Sequence, residues 1–424
     1  MVFSWRFKLT SVFSLLLLIL IGSFALLCST KVTTHAANKS LKMPLKQNET
    51  LSCGAWRVIT SPNVAGYSSI LYGVTAISAN NVWAVGYYQN SAGTIGLTLI
   101  EHWNGTKWKI VPSPNPTGPV YSILTSVVAL SANNIWAAGY TFNVPSVGSS
   151  YDLTLIEHWN GSKWRIVSSP NAGSYINQLS AVTATSTNDV WAVGYYQNSI
   201  SSGDSSPHSL IEHWNGSKWK IVPSVNVGSL ESILTGITAS SPTNAWAVGF
   251  IQSSGSTIGQ ALVEHWNGTN WSIASNPSPG TNGNMFNGVT AVAPNQIRAT
   301  GYYQDVNSTV TQPLNEYWDG FQWHIDADAI PPGSTTAILN GITAISVNSV
   351  WAVGYFDSAN NTNDQTLIEQ WNGSAWNVAS SPNVGKANNR LAAVTHVPGT
   401  SQTWAVGFYN GDTVGYQTLI EFHC

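Results

Sequence analysis

The chain has 424 residues, of which 43% are hydrophobic and only 8% are charged, and its formal net charge is −3. Proteins that bind nucleic acid carry a basic face, so this charge balance gives no case for a nucleic-acid partner. The low charge does not indicate disorder, because the hydrophobic fraction is large enough to form a core.

The N-terminal segment has the pattern of an export signal. Arg6 and Lys8 precede an apolar run over residues 12–27, and small residues at 34–36 stand at the spacing of a cleavage site. We therefore expect residues 1–36 to be a signal peptide. The alternative is an uncleaved membrane anchor, because the apolar run nears the length of a spanning helix.

A polar segment follows at residues 37–52, and its composition predicts a linker. The body, residues 53–424, is then expected to be secreted or held at the cell surface. It would contact a membrane only through the N-terminal segment.

An internal repeat dominates the body. The pentapeptide VWAVG around Trp83 recurs in six related forms at intervals of 52 to 55 residues. These copies surround Trp136, Trp191, Trp246, Arg298, Trp351 and Trp404. A second block, LIEHWNGTKW at 99–108, returns five times in the same order. Repeats of about 50 residues are typical of propeller blades.

Each period predicts four short strands, which in the first copy are residues 73–78, 82–88, 98–103 and 107–111. Alternating apolar residues support the strands. Asn-Gly between the third and fourth strands predicts a tight type I′ hairpin turn.

The count of strands predicts how the ring closes. Seven copies of the first three strands exist, but the chain ends before the seventh copy has its fourth strand. Residues 56–63 match the fourth strands at 108–115 and 164–171. We therefore predict an all-β fold, a seven-bladed β-propeller with four antiparallel strands per blade, closed by an N-terminal strand that completes the last blade.

With a glycine-bearing second strand and later aromatic residues in each repeat, residues 53–424 resemble the kelch and galactose-oxidase-like propellers. Galactose oxidase holds copper with histidines and a tyrosine crosslinked to cysteine. The cysteines here are Cys28, Cys53 and Cys424, at the leader and the ring closure, so this centre cannot be assembled. We expect no cofactor and no metal.

Cys53 and Cys424 are predicted to form a disulfide. Alignment with the repeats places them at the two adjacent turn positions that Asn104 and Gly105 occupy in the first copy. The bond would replace the peptide link missing at the closure, in a compartment that permits oxidation.

Two recurring polar residues are interpreted as structural. Each repeat has a glutamate on the face of the third strand that packs between sheets, and indole N–H groups or neighbouring amides could pair with it. These are Glu101, Glu157, Glu212, Glu264, Glu316, Glu369 and Glu421. Histidines follow them in four copies only, at His102, His158, His213 and His265, which argues against metal ligation.

No nucleophile elbow, zinc-protease motif or phosphate-binding loop occurs in the sequence. The fifth repeat diverges most and is where scattered carboxylates could serve a hydrolase. Its unusual residues are Arg298, Asp305, Asp319, Asp326 and Asp328. The oxygen-rich stretch 357–364 lacks the glycine and glutamate of a calcium loop and predicts a solvated loop.

Function is expected on the face that carries the long irregular loops, such as 140–152 and 195–208. Candidate ligand-binding residues are the aromatic ends of second strands and the positions on innermost strands that break the repeat. They are Tyr88, Tyr196, Tyr303, Gln178, Glu231, Asn287, Asn340 and Arg390.

The sequence therefore predicts an exported, monomeric and non-catalytic module that binds a glycan or a protein through this face. Two alternatives stay open. One is a propeller hydrolase or lyase with a site at the channel mouth, and the other is a structural cell-envelope protein without a specific ligand.

Overall fold

A computed structural model describes residues 54–90, 95–117, 120–143, 151–199, 205–225, 231–252, 259–306, 308, 310–358, 361–385, 387–411 and 415–424. The predicted signal segment (1–36), the linker (37–52) and Cys53 lie outside the described residues. Within them every regular element is a strand, which confirms the all-β prediction. None of the described segments is a helix long and apolar enough to cross a membrane.

The described strands pair antiparallel in units of four, ordered by sequence from the first to the fourth strand. Unit 1 consists of β2 (Tyr67–Ser78), β3 (Asn81–Asn90), β4 (Gly96–Trp103) and β5 (Trp108–Ile110). Unit 2 consists of β6 (Val120–Ser131), β7 (Asn134–Asn143), β8 (Asp152–Trp159) and β9 (Trp164–Val167). Unit 3 consists of β10 (Ile176–Ser186), β11 (Asp189–Gln197), β12 (His208–Trp214) and β13 (Trp219–Ile221). Unit 4 consists of β14 (Glu231–Ser241), β15 (Asn244–Gln252), β16 (Gly259–Trp266) and β17 (Trp271–Ile273). Unit 5 consists of β18 (Gly283–Ala293), β19 (Gln296–Gln304), β20 (Thr311–Trp318) and β21 (Trp323–Ile325). Unit 6 consists of β22 (Ser334–Ser346), β23 (Ser349–Ser358), β24 (Asn361–Trp371) and β25 (Trp376–Ala379). Unit 7 consists of β26 (Asn389–His396), β27 (Thr403–Gly411) and β28 (Gly415–His423), with β1 (Arg57–Val58) as its fourth strand.

The fourth strand of unit 7 comes from the other end of the chain. Arg57 and Val58 pair antiparallel with Phe422 and Glu421, and the Ile59 N–H donates to the Ile420 carbonyl at 2.9 Å. Single parallel bridges join β4 to β6 and β20 to β22. Elsewhere the described units meet mainly through side chains, with single backbone bonds such as that from the Ser232 N–H to the Pro207 carbonyl at 2.9 Å.

The hydrophobic core lies in the seams between consecutive units. In the seam between units 1 and 2, Trp83 and Ile100 pack with Leu124 and Trp164. The first strand of each unit lies against the first strand of the next, and β26 lies against β2. A further cluster joins Trp103 and Trp108 of unit 1 to Trp404 and Phe422 of unit 7, whose rings meet edge-on or tilted at 4.6 to 5.4 Å.

The first strands are longer than the sequence predicts, because β2 begins at Tyr67 rather than near residue 73. A bulge between Leu71 and Gly73 interrupts the alternation that defines a strand in the sequence. Close packing beside the bulge also explains the repeated glycine of VWAVG. A Cβ on Gly86 would stand 1.9 Å from the Ile70 carbonyl oxygen.

The predicted two-residue type I′ turn is wrong. Trp103 pairs directly with Trp108, which leaves a four-residue loop between β4 and β5. The Asn104 Oδ1 atom organises this loop by accepting from the N–H groups of Thr106 (3.1 Å) and Lys107 (3.0 Å). The asparagine is selected for its side chain, and Gly105 for its φ of 93°.

Candidate functional site

The Ser-Pro-Asn segment after most fourth strands links each unit to the next. Its serine hydroxyl donates to the recurring glutamate of the following unit, as from Ser113 Oγ to Glu157 Oε2 at 2.7 Å. Equivalent bonds of 2.5 to 2.9 Å join Ser61 to Glu101, Ser169 to Glu212, Ser224 to Glu264 and Ser381 to Glu421. The structural interpretation of the glutamates therefore agrees with the contacts. Five of the seven accept from a serine hydroxyl rather than from an indole N–H group, and Glu369 accepts from a neighbouring amide, as expected.

The divergent residues of unit 5 lie mainly inside its seam with unit 6. Asp328 replaces the linking serine, and Asn315 Nδ2 donates to Asp328 Oδ1 (2.9 Å) and Glu369 Oε2 (3.2 Å). Arg298 replaces the repeat tryptophan, pairs with buried Asp326 and lies 4.2 Å from the Trp371 ring centroid. These groups are committed to contacts within the seam.

The two remaining unit 5 candidates lie apart from that seam. Asp319 bonds to His324 Nε2 at 2.8 Å in the loop between β20 and β21. Asp305 follows β19 at the other end of the unit and accepts from Thr281 at 3.1 Å. The five residues that could have served a hydrolase therefore do not converge.

The histidines of the third strands pack within their units. The Nε2 atom of His102 lies 2.9 Å from Asn81 Oδ1, and its ring stacks on Trp83 at 4.2 Å. His158 and His265 repeat both contacts. His213 stacks in the same way, but its Nε2 lies 2.7 Å from Asp189 Oδ1 instead of an asparagine. Among the described residues no three His, Cys, Asp or Glu side chains are placed to hold a metal ion.

The structure does not bring together Tyr88, Tyr196 and Tyr303. They belong to three separate seams, where each ring covers the end of a hydrophobic cluster. The Tyr303 hydroxyl donates to Gln312 at 3.0 Å, and Tyr196 lies 5.3 Å from the His208 ring. These tyrosines are half-buried packing residues.

Asn287 and Asn340 connect neighbouring first strands. Each donates its Nδ2 to a backbone carbonyl of the next unit at 2.8 Å, to Leu339 and Leu391 respectively. Thr125 makes the equivalent bond to Leu179 at 2.8 Å. The departure from the repeat at these two positions is therefore explained by inter-unit bonding.

Gln178 and Arg390 occupy the first-strand position that holds Ile70, Ile123, Ile233, Met285 or Ile338 in the other units. Each faces an aspartate at the start of the preceding unit's third strand. Gln178 Nε2 lies 2.5 Å from Asp152 Oδ2, and Arg390 Nε lies 2.5 Å from Asp364 Oδ2. At this position two of the seams thus carry a partly buried polar pair.

Burial governs the electrostatics of both pairs. It raises the pKa of Asp152, whose partner is uncharged, to about 6. Burial also raises the pKa of Asp364, although the positive charge of Arg390 opposes the shift. The Arg390 guanidinium lies 4.2 Å from the Tyr355 ring centroid, a cation–π distance. Glu231 lies half-buried at the start of β14, opposite Gln252, and its pKa is also raised by burial.

A cavity of about 420 Å³ lies beside the Asp364–Arg390 pair. It is lined by Asn363, Asp364, Gln365, Asn383, Gly385, Ala387 and Asn389. These residues belong to the start of β24 and the connection from β25 to β26, so the cavity opens on the end of the units that carries the connections between second and third strands and between units. We call this end the loop face, and the opposite end the turn face.

Buried Asn389 shapes the wall of the cavity. Its Oδ1 accepts from the Val384 N–H at 2.8 Å, and its Nδ2 donates to the Ala387 carbonyl at 2.6 Å. The sequence identified Arg390 but missed the cavity and Asp364, which it assigned to a solvated loop. Asp364 is in fact buried in β24.

Comparison with known proteins supports the fold only. No family model matches the chain, and no curated protein matches it. A solved structure described as YCF48 bound to D1 peptide is similar over 89% of this chain and 99% of its own, with 12% identity and a TM-score of 0.51. A second solved structure is an ulvan lyase of the polysaccharide lyase group PL25, bound to -[GlcA(1-4)Rha3S]-. It is similar over 86% of this chain and 95% of its own, with 10% identity and a TM-score of 0.50. These are propeller-type proteins, and the chain shares their fold.

Proposed function

We propose that the protein is an exported, non-catalytic binding module that recognises a glycan through its loop face. The observation that carries this proposal is the amide-lined cavity beside Asp364 and Arg390. Its volume lies within the usual range for small-ligand sites. Amide groups both donate and accept hydrogen bonds, as sugar hydroxyls require.

Contacts elsewhere support binding rather than catalysis. The candidate carboxylates of unit 5 are spread over a buried seam, a turn and a loop. In the similar structures, YCF48 holds a peptide and the ulvan lyase holds a sugar. A peptide is therefore the alternative ligand for the same cavity.

The test is an array of immobilised oligosaccharides and peptides probed with residues 53–424. We expect neutral oligosaccharides to bind. The double variant Asn363→Ala, Gln365→Ala should bind them with an affinity lower by about tenfold or more. Gln260→Ala, at the strand position of Gln365 in unit 4, is the matched control and should bind as the parent does. If only peptides bind, the glycan proposal is wrong and the ligand of the cavity is a peptide.

The proposal includes the architecture that presents this face, a seven-bladed propeller closed by its own N-terminal strand. Pairing of β1 with β28, contact of β26 with β2, and the shared cluster of units 1 and 7 support closure. The proposed Cys53–Cys424 disulfide would secure it, with Cys424 directly after β28. Mass spectrometry of the non-reduced protein should find the two cysteines in one linked peptide, and two alkylatable thiols would contradict this.

A further inference from the structure

The seam between units 2 and 3 carries the sequence positions that correspond to the cavity lining between units 6 and 7. Residues 171–178 align without a gap with 383–390, and Asp152 stands where Asp364 does. The Thr154 N–H donates to Asn171 Oδ1 at 2.9 Å, as Thr366 does to Asn383 at 3.0 Å. The side chains at the other positions differ, and so does the local backbone, since the Asp152 N–H donates to the Tyr175 carbonyl whereas the Asp364 N–H donates to Asn388 Oδ1.

Aromatic and apolar side chains occupy the surface at the first of these seams. Tyr151 and Leu153 replace Asn363 and Gln365, and Tyr175 replaces Ala387. Tyr151 is 47% and Leu153 is 48% exposed, and the rings of Tyr151 and Tyr175 meet edge-on with centroids 6.3 Å apart.

We propose that Tyr151, Leu153 and Tyr175, with the exposed amide of Asn171, form a second glycan subsite on the loop face. It would stack the C–H face of one neutral pyranose ring on Tyr151. This inference rests on the proposed glycan-binding function and adds a site to it. The described residues of this surface carry no exposed charge, which favours a neutral sugar over an acidic one.

Buried hydrogen bonds hold the backbone of this surface in place before a ligand binds. The Asp152 N–H donates to the Tyr175 carbonyl at 3.0 Å, and Asn177 Nδ2 donates to the Asp152 and Gly173 carbonyls at 3.2 and 2.8 Å. Asn177 is 1% exposed. A preorganised surface loses little conformational entropy on binding.

Unit 1 supplies a matched control. Ile95 stands at the position of Tyr151 and is 45% exposed, so it offers similar apolar exposure without an aromatic ring. Among the seven repeats only the second has an aromatic residue at this position, which is Tyr151. The other repeats have Ile95, Ser206, Ile258, Val310, Asn363 and Gly415 there.

The experiment measures binding of residues 53–424 to immobilised neutral hexasaccharides of glucose, mannose and galactose. Tyr151→Ala with Tyr175→Ala should weaken binding by about tenfold, as for aromatic hot spots. Ile95→Ala should leave it unchanged. Tyr151→Phe, which keeps the ring, should bind like the parent even if the double variant folds poorly.

The outcomes separate the two proposals. Unchanged affinity in the double variant, or an equal loss in Ile95→Ala, would overturn the second subsite while the cavity variants still test the first. A large loss in Tyr151→Phe would also overturn it, because stacking needs only the ring. Absence of binding to every oligosaccharide by the parent protein would overturn the proposed function and the subsite with it.

Discussion

Single residues link the units through a hydroxyl and a buried carboxyl. Ser113 reaches both oxygens of Glu157, at 3.0 and 2.7 Å, and also lies 2.8 Å from Thr98 Oγ1. Burial raises the pKa of Glu157 to about 8, against the effect of the serine hydroxyl. The bond compensates in part for placing a carboxyl group in a seam without a cation.

Removing the hydroxyl should destabilise the protein. Ser113→Ala leaves the buried Glu157 carboxyl without this donor, and we expect the free energy of unfolding to fall by about 1–3 kcal/mol. Denaturant unfolding measures the change. Ser162→Ala is the control, because that hydroxyl bonds only within an exposed loop, to Asn160 at 2.9 Å. Equal effects of the two changes would contradict the linking role.

A second residue-scale prediction concerns charge at the cavity. Asp364 pairs with Arg390 and lies in the cavity wall, so it neutralises the guanidinium. Asp364→Asn should release that charge and raise the affinity for uronate oligosaccharides relative to neutral ones by about tenfold. Array binding measures the ratio.

The matched control for that change is Asp152→Asn, whose partner Gln178 carries no charge to release. The ratio of uronate to neutral binding should not change in this variant. If Asp364→Asn also leaves the ratio unchanged, Arg390 does not influence the ligand.

At the scale of elements, the short strand β1 completes unit 7. Trp56, just before it, packs edge-on against Trp351 at 5.3 Å. Beyond it, Ser61 donates to Glu101 of unit 1, and Asn63 Oδ1 accepts from the Thr418 N–H at 2.9 Å. Residues 56–63 thus contact units 6, 7 and 1.

A chain that begins at residue 64 should therefore unfold at a lower temperature than one that begins at residue 53. Loss of a buried tryptophan alone costs about 3–5 kcal/mol, and the exposed edge of β28 should promote association. Thermal unfolding and light scattering measure both effects. A monomeric shortened chain with an unchanged Tm would show that β1 does not close the fold.

The strands could be predicted because their repeat is nearly verbatim, and the pairing of β1 with the last unit because residues 56–63 carry the same Trp and Ser-Pro-Asn pattern. The first half of β2 was missed because the bulge after Leu71 breaks the alternation. Arg390 and Gln178 were found because they replace an aliphatic residue. Asp364 and Tyr151 were missed because their environment comes from the following unit, which no local pattern reveals.

At the scale of the whole molecule, buried glutamates make stability depend on pH. Burial raises the pKa to about 8 for Glu101, Glu157, Glu212 and Glu421, to about 7 for Glu264 and to about 9 for Glu316. The folded state therefore holds protons that the unfolded state has released above about pH 4.5. Stability must fall as pH rises toward these values.

Five histidines make stability rise with pH at lower pH, because burial lowers their pKa in the folded state. They are His102, His158, His265, His396 and His423. Above about pH 6.5 their contribution is complete, and the glutamates determine the slope. We expect Tm to decrease steadily from pH 6.5 to 8.5. Glu157→Gln should reduce the slope, and a Tm that is constant or rises would contradict the assignment of neutral buried carboxyls.

The proposed function requires that the loop face binds the ligand and that the turn face does not. Hydrogen–deuterium exchange with and without a bound oligosaccharide tests it over the whole molecule. We expect protection of the amides at 363–365 and 383–389, together with 151–153 and 171–177, and no change in the four-residue loops such as 104–107. Protection confined to those loops would contradict it.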